Sequence, residues 1–258
     1  MTPTQIILLF ASGIIAGAIN AIAGGGTILT FPALMATGIS GMVANATSTL
    51  ALFIGTGGSM FSFRRYFAEI GHLLKRFVPV SIAGGWSGGW LLTKTDESLF
   101  ENLVPILILF ATILFMAQGA IAAFMRRKPG ADDRAREMRL LPSLVFQFFV
   151  AVYGGYFGAG IGILMLASFG FMGMSDIHHM NALKNVQASL ICMVAAVVFI
   201  LTPGMIDWPR AGILAAGAVT GYFLGAHYSQ KIPRQWVRRT VTAIGLLAFA
   251  VTALKRFG

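Results

Sequence analysis

Gly24-Gly25-Gly26 interrupts the first apolar run of this chain, and Gly158-Ala159-Gly160-Ile161-Gly162 interrupts another about half a chain later. Glycine adds nothing to burial but permits sharp turns and close backbone approach, so paired interruptions read as turns with a purpose. The composition around them sets the solvent. Hydrophobic residues make up 57% of the 258 positions and charged residues 11%, with a mean hydropathy of +0.79. That excludes an ordinary soluble domain and places the chain in a bilayer.

Working outward from the glycines, segment 4–40 reads as one broken helical hairpin and 140–175 as a second. The apolar pieces that follow the breaks are too short to span comfortably, since crossing takes about 20 residues. Each hairpin therefore reads as re-entrant or short, and each is followed by three transmembrane helices: 42–63, 77–93 and 102–125 in residues 1–125, then 180–202, 210–229 and 239–255 in residues 140–258. Residues 126–139 form a basic cytoplasmic linker. The fold class expected is an all-α polytopic membrane protein. No Lys or Arg precedes Arg64, so the first run belongs to the hairpin and is not read as a secretory leader. Cys192 alone excludes an intrachain disulfide and reads as small core filling.

The net charge of +10 follows membrane topology. Fourteen of the nineteen basic residues fall in three groups: Arg64, Arg65, Lys75, Arg76; then Arg126, Arg127, Lys128, Arg134, Arg136, Arg139; then Lys231, Arg234, Arg238, Arg239. The positive-inside rule assigns these to the cytoplasm, leaving both termini external in a bacterial inner membrane. Lys255 and Arg256 oppose that assignment and are outnumbered. Nucleic acid is not an expected partner.

The halves also match in sequence. Asn-Ala recurs in Ala44-Asn45-Ala46-Thr47-Ser48 and Met180-Asn181-Ala182-Leu183-Lys184, at a similar offset beyond each break. Ala83-Gly84-Gly85-Trp86-Ser87-Gly88-Gly89-Trp90-Leu91 aligns with Ala216-Gly217-Ala218-Val219-Thr220-Gly221-Tyr222-Phe223-Leu224. A hairpin plus three spans crosses an odd number of times, so the units would be inverted relative to one another.

These residues, with Arg64-Arg65-Tyr66 and Asn181-Ala182-Leu183-Lys184-Asn185, carry a resemblance across nearly the whole chain. The sequence resembles the sulfite exporter TauE/SafE family of bacterial membrane transporters. The resemblance implies movement of sulfite, sulfonates such as sulfoacetate, or related organosulfur and organic anions. Ile161 within the second turn departs from the glycine-rich pattern.

An anion also suits the residues themselves. A helix starting inside the membrane aims free N–H groups and about half a positive charge at what faces it. The candidate site therefore gathers the turns Gly24, Gly25, Gly26 and Gly158, Gly160, Gly162, with Thr27 as a cap for its short helix. Lys184 supplies a full charge if it points inward, or snorkels to the cytoplasm if it does not. Asn181, Asn185 and Gln187 add amides, and Asn20, Asn45, Thr47 and Ser48 add neutral donors, unless these polar groups only join helices. Asp176, His178 and His179 sit at a cytoplasmic mouth, where proton sensing stays open but adjacent histidines point apart and no metal is expected. The small-residue faces Gly84/Gly88 and Gly217/Gly221/Gly225 read as packing within the monomer or across a homodimer.

No carboxylate pair, HExxH motif or nucleophile–base pair supports an enzyme, and no cofactor is implied. The expected function is anion export by alternating access. The alternatives are an anion channel, a proton- or sodium-coupled uptake permease, and a structural subunit. With an inside-negative potential, each negative charge leaving gains about 2.3 kcal/mol per 100 mV, which favours efflux.

Overall fold

A computed structural model describes residues 1–22, 25–62, 67–126, 133–174, 176–228 and 234–257. Gly24, Arg64, Arg65, Arg127, Lys128, Pro129-Gly130 and Lys231 lie outside the described residues. Among the described residues there are ten helices and no strand: α1 (Pro3–Ile22), α2 (Thr27–Met35), α3 (Gly41–Ser62), α4 (Phe67–Lys94), α5 (Glu97–Arg126), α6 (Asp133–Tyr156), α7 (Ile161–Phe171), α8 (Ile177–Leu201), α9 (Trp208–Tyr228) and α10 (Arg234–Phe257). The glycine breaks separate α1 from α2 and α6 from α7. The arms are unequal. α1 has 20 residues and α6 has 24, whereas α2 has 9 and α7 has 11; at 1.5 Å per residue the short arms reach only about 14 and 17 Å.

Several helices start before the apolar pattern expects, α5 and α10 by five residues each, and two differ more. α4 starts ten residues before the expected 77, and α6 starts at Asp133 inside the stretch read as linker. Polarity ends a bilayer span without ending a helix, because backbone hydrogen bonds stay internal in either solvent. Glu69 favours the first turn of α4, while Lys75 and Arg76 remain exposed on its continuation.

Glycines set the closest packing. A Cβ on Gly217 would meet the Phe10 carbonyl at 2.4 Å and one on Gly221 the Ile14 carbonyl at 1.9 Å, while Gly225 lies against Ala18. Each step of four residues along α9 matches four along α1, so the two helices run parallel. α4 and α6 do likewise, with Gly84 on the Phe148 carbonyl and Gly88 on the Val152 carbonyl, the latter at 2.0 Å from a built Cβ. The long arm of each hairpin thus packs on a helix from the other half of the chain.

Both hairpins close at their ends. Gln5 Nε2 donates to the Thr37 carbonyl at 3.4 Å, and Arg139 donates to the Phe171 carbonyl at 3.2 Å, each across 32 residues. Between them, α3 and α8 form the centre; residues 44–52 are all buried. Phe31 of α2 packs edge-on against Phe157 at 5.4 Å, joining the first short arm to the second turn. The outer surface is apolar. Phe223 is 80% exposed and Ile7 69%, a distribution suited to lipid and costly in water. Among the described residues α1, α5 and α8 contain stretches long and apolar enough to cross a membrane.

Candidate functional site

A cavity of about 80 Å³ lies where the two glycine turns meet α3, α8 and α9. Asn20, Gly25 and Thr27 line it from the first hairpin, and Gly158, Ile161 and Gly162 from the second. The first turns of α2 and α7 therefore both open onto it. Asn20 Oδ1 accepts from Gly26 N at 2.7 Å and stitches the first turn. Gly25 has φ +103 and faces the Phe115 ring, which a Cβ would strike at 2.1 Å. In the second turn Gly158 and Gly160 hold φ near +80, and Tyr153 donates its hydroxyl to the Ala159 carbonyl at 2.7 Å.

α8 supplies the charge. Lys184 is 6% exposed and lines the cavity, its chain lying over Gly162, where a Cβ would stand 3.2 Å from Lys184 Cδ. It is the one charged residue among the described lining. Asn185, Ala188, Ser189 and Cys192 continue the same helical face along the wall. Leu52 and Thr56 of α3 and Tyr222 of α9 complete it.

Several candidate residues hold the frame instead. Asn45 Nδ2 donates to the Tyr156 carbonyl at 2.8 Å, tying α3 to the end of α6. Thr47 Oγ1 accepts from Asp207 N at 3.1 Å, and Ser48 shares a 2.6 Å hydrogen bond with Thr30. Gln187 turns towards α4, where Ser81 donates to its Oε1 at 3.4 Å and itself accepts from Gln147 at 3.0 Å. Asn181 is half-buried and not part of the lining. Thr27 opens α2 without capping it; Gly26 holds the cap position with no side-chain bond. Gly160 is the left-handed cap of α7, so Ile161 enters an ordinary helical turn. Cys192, read as core filling, stands on the cavity wall.

Thr56, Ser189 and Tyr222 are lining residues that sequence reasoning missed. Ser189 had a signal, since it follows Asn185 by four on one face. Tyr222 had none, because its position depends on the seam that Gly217 and Gly221 form with α1.

One end of the bundle is pinned by polar contacts. Arg210 Nε donates to Thr37 Oγ1 at 2.9 Å and pairs with Asp207, joining α9 to the end of α2. At the opposite end Asp176 caps α8, accepting from His178 N at 2.7 Å and His179 N at 3.3 Å. Those backbone amides hold its carboxyl below the usual carboxylate range. The His179 ring pairs with Glu69 of α4. No cluster of metal-ligating side chains occurs among the described residues.

An 80 Å³ space is far below the roughly 300–1,000 Å³ of drug-sized pockets. With a buried Lys, amides, hydroxyls and two helix starts on its walls, it suits a small anion. The family model for the sulfite exporter TauE/SafE matches residues 9–252. The chain belongs to that family. It is 28% identical to a Haemophilus influenzae protein named "Probable membrane transporter protein", over 96% of this chain and 93% of the relative. It is also 27% identical to "Probable membrane transporter protein YfcA" of Escherichia coli K12, over 99% and 90% respectively. A Sinorhizobium protein, "Probable membrane transporter protein ORF9", is 27% identical over 87% and 83%. No solved structure matches the chain. Family and relatives make this protein a membrane transporter.

Proposed function

We propose that the protein exports a small anion, of the sulfite, sulfonate or related organosulfur or carboxylate class, by alternating access around this cavity. The observation that carries the proposal is the convergence of two short-helix starts and Lys184 on one small space. Backbone N–H groups and the half-charges of α2 and α7 favour oxyanions there, and Lys184 adds charge in a setting of weak screening. Asn20, Thr27, Asn185 and Ser189 can replace part of the hydration shell.

Inverted, re-entrant halves are supported by the parallel seams α1/α9 and α4/α6 and by the matched closures Gln5–Thr37 and Arg139–Phe171. With the basic loops cytoplasmic in an inner membrane, Thr56 and Tyr222 lie in the helix halves that lead inward, while Arg210 and Asp207 pin the outer ends. The anion would load from the cytoplasm, and outward release would require the Arg210–Thr37 contact to break. An export step needs no coupling ion when the cell interior is negative.

Purified protein, screened by thermal shift against sulfite, sulfoacetate, acetate and chloride, should be stabilised by at least one organosulfur anion. In liposomes that anion should leave an inside-negative interior with saturable kinetics. Accumulation against that potential, driven by a proton or sodium gradient, would reverse the assigned direction. Flux without saturation would make the protein a channel.

A further inference from the structure

A second concave site lies on the outer face between α6 and α7, away from the central cavity. Pro142, Phe146, Ala167 and Phe171 give this groove apolar walls, and its volume is about 260 Å³. Two polar groups also line it: Ser143 at 2% exposure and Ser168 at 5%. Neither hydroxyl has a hydrogen-bond partner. A serine in a membrane helix ordinarily returns its proton to the carbonyl one turn back, and Ser12 does so to Leu8. Two orphaned hydroxyls in one groove are an exception that calls for an acceptor.

Arg139 stands at the mouth, one turn before Ser143. Its guanidinium donates to the Phe171 carbonyl at 3.2 Å and lies 5.7 Å from the centre of the Phe171 ring. One bond leaves most of its five donors available to another group. The order from the basic-loop end inward is cation, then hydroxyls about 6 Å deeper, then aromatic wall beside Phe146. A glycerophospholipid has that order: phosphate, ester carbonyls, acyl chain.

We propose that this groove binds one anionic glycerophospholipid of the leaflet that meets the basic loops. Its phosphate rests on Arg139, its ester carbonyls accept from Ser143 and Ser168, and an acyl chain lies along Phe146 and Ala167. The matched position of the other hairpin carries neutral Gln5. The site is thus specific to the second hairpin, and its bound lipid would brace α7 against α6.

Native mass spectrometry of delipidated full-length protein tests this, with dioleoyl phosphatidylglycerol, dioleoyl phosphatidylcholine and a diether phosphatidylglycerol as probes. One phosphatidylglycerol should bind in preference to phosphatidylcholine. Arg139→Gln should weaken that binding about fivefold and erase the preference, whereas Arg139→Lys keeps it. Ser143→Ala with Ser168→Ala should weaken both ester lipids but leave the diether lipid unchanged. Thermal unfolding confirms that each variant is folded, and the unsubstituted protein with ester and diether lipids gives a comparison needing no variant. Equal affinity for ester and diether phosphatidylglycerol, or unchanged binding in Arg139→Gln, overturns the proposal.

Discussion

The two glycine-broken hairpins share a plan and differ in how it is held. Both have a long arm, a turn at the cavity and a short arm, closed by a side chain reaching a carbonyl 32 residues on. The first turn combines one positive-φ glycine, Gly25, with a side-chain amide, Asn20 to Gly26, and its short helix begins with Gly26 in the right-handed region. The second uses two left-handed glycines, Gly158 and Gly160, with a tyrosine hydroxyl across the turn. Charge is distributed unequally too. The second turn lies under Lys184, while the first offers neutral donors. A common architecture can thus keep its geometry while its two sides present different charge to the cavity.

The sharpest way to break the comparison is at the seams. Gly221→Ala and Gly88→Ala each drive a Cβ into a backbone carbonyl, at 1.9 and 2.0 Å, and each should cost about 3 kcal/mol in unfolding experiments. Equal losses would show that both hairpins depend on their cross-chain partner. Gly71→Ala meets nothing within 4 Å and should instead stabilise α4. If all three behave alike, close helix approach is not what these glycines serve.

Removing charge and removing a neutral donor should separate the hairpins. Lys184→Met should weaken anion affinity at least about tenfold, and Thr27→Val about fivefold, since bonds to charged groups exceed neutral ones. Isothermal titration with the best anion of the thermal screen measures both. Unchanged affinity and salt dependence in Lys184→Met would remove that residue from the site.

Smaller effects should come from the turns. Tyr153→Phe and Asn20→Leu each delete one stitching bond and should lower stability by about 1 kcal/mol. A larger loss for Asn20→Leu would mean that glycine backbone geometry alone supports the second turn better than the first.

The smallest effect is pH-dependent. Asp176 has a lowered carboxyl pKa in the folded protein, so its stabilisation of α8 is present above the unfolded value. It is lost as pH falls through the folded value. Protection of the His178 and His179 amides, measured as exchange relative to the unfolded chain at the same pH, should therefore fall on acidification below the ordinary carboxylate range. Asp176→Asn should flatten that component, and an unaltered profile would exclude the charged cap as its source.

Much of the frame was legible because membrane solvent imposes simple rules. Apolar length located the long helices, and glycine located both breaks. Helix ends were less visible: α4 and α6 continue through Glu69, Lys75 and Asp133 because water does not unwind a hydrogen-bonded helix. Of the candidate site, Asn20, Gly25, Thr27, Gly158, Gly162, Lys184 and Asn185 meet at the cavity. Asn45, Thr47, Ser48 and Gln187 are also polar and buried, yet their hydrogen bonds run to other helices and loops: Asn45 and Thr47 to the backbone of Tyr156 and Asp207, Ser48 and Gln187 to the hydroxyls of Thr30 and Ser81. Residue type alone cannot separate these roles, since both answer the same need for hydrogen-bond partners in hydrocarbon. Only the rotation of each helix about its axis decides, and neighbours distant in sequence set that rotation.

The parallel seam between α1 and α9 has a consequence for biogenesis. The face of α1 that carries Gly13 and Gly17 waits for Gly217, Gly221 and Gly225, which the ribosome delivers roughly 10–40 s later at about 5–20 residues per second. During that interval the small-residue face of the first helix has no α9 to pack against. The α1 seam can therefore close only once the ninth helix has been made, whereas the α4/α6 seam has both of its helices by residue 156.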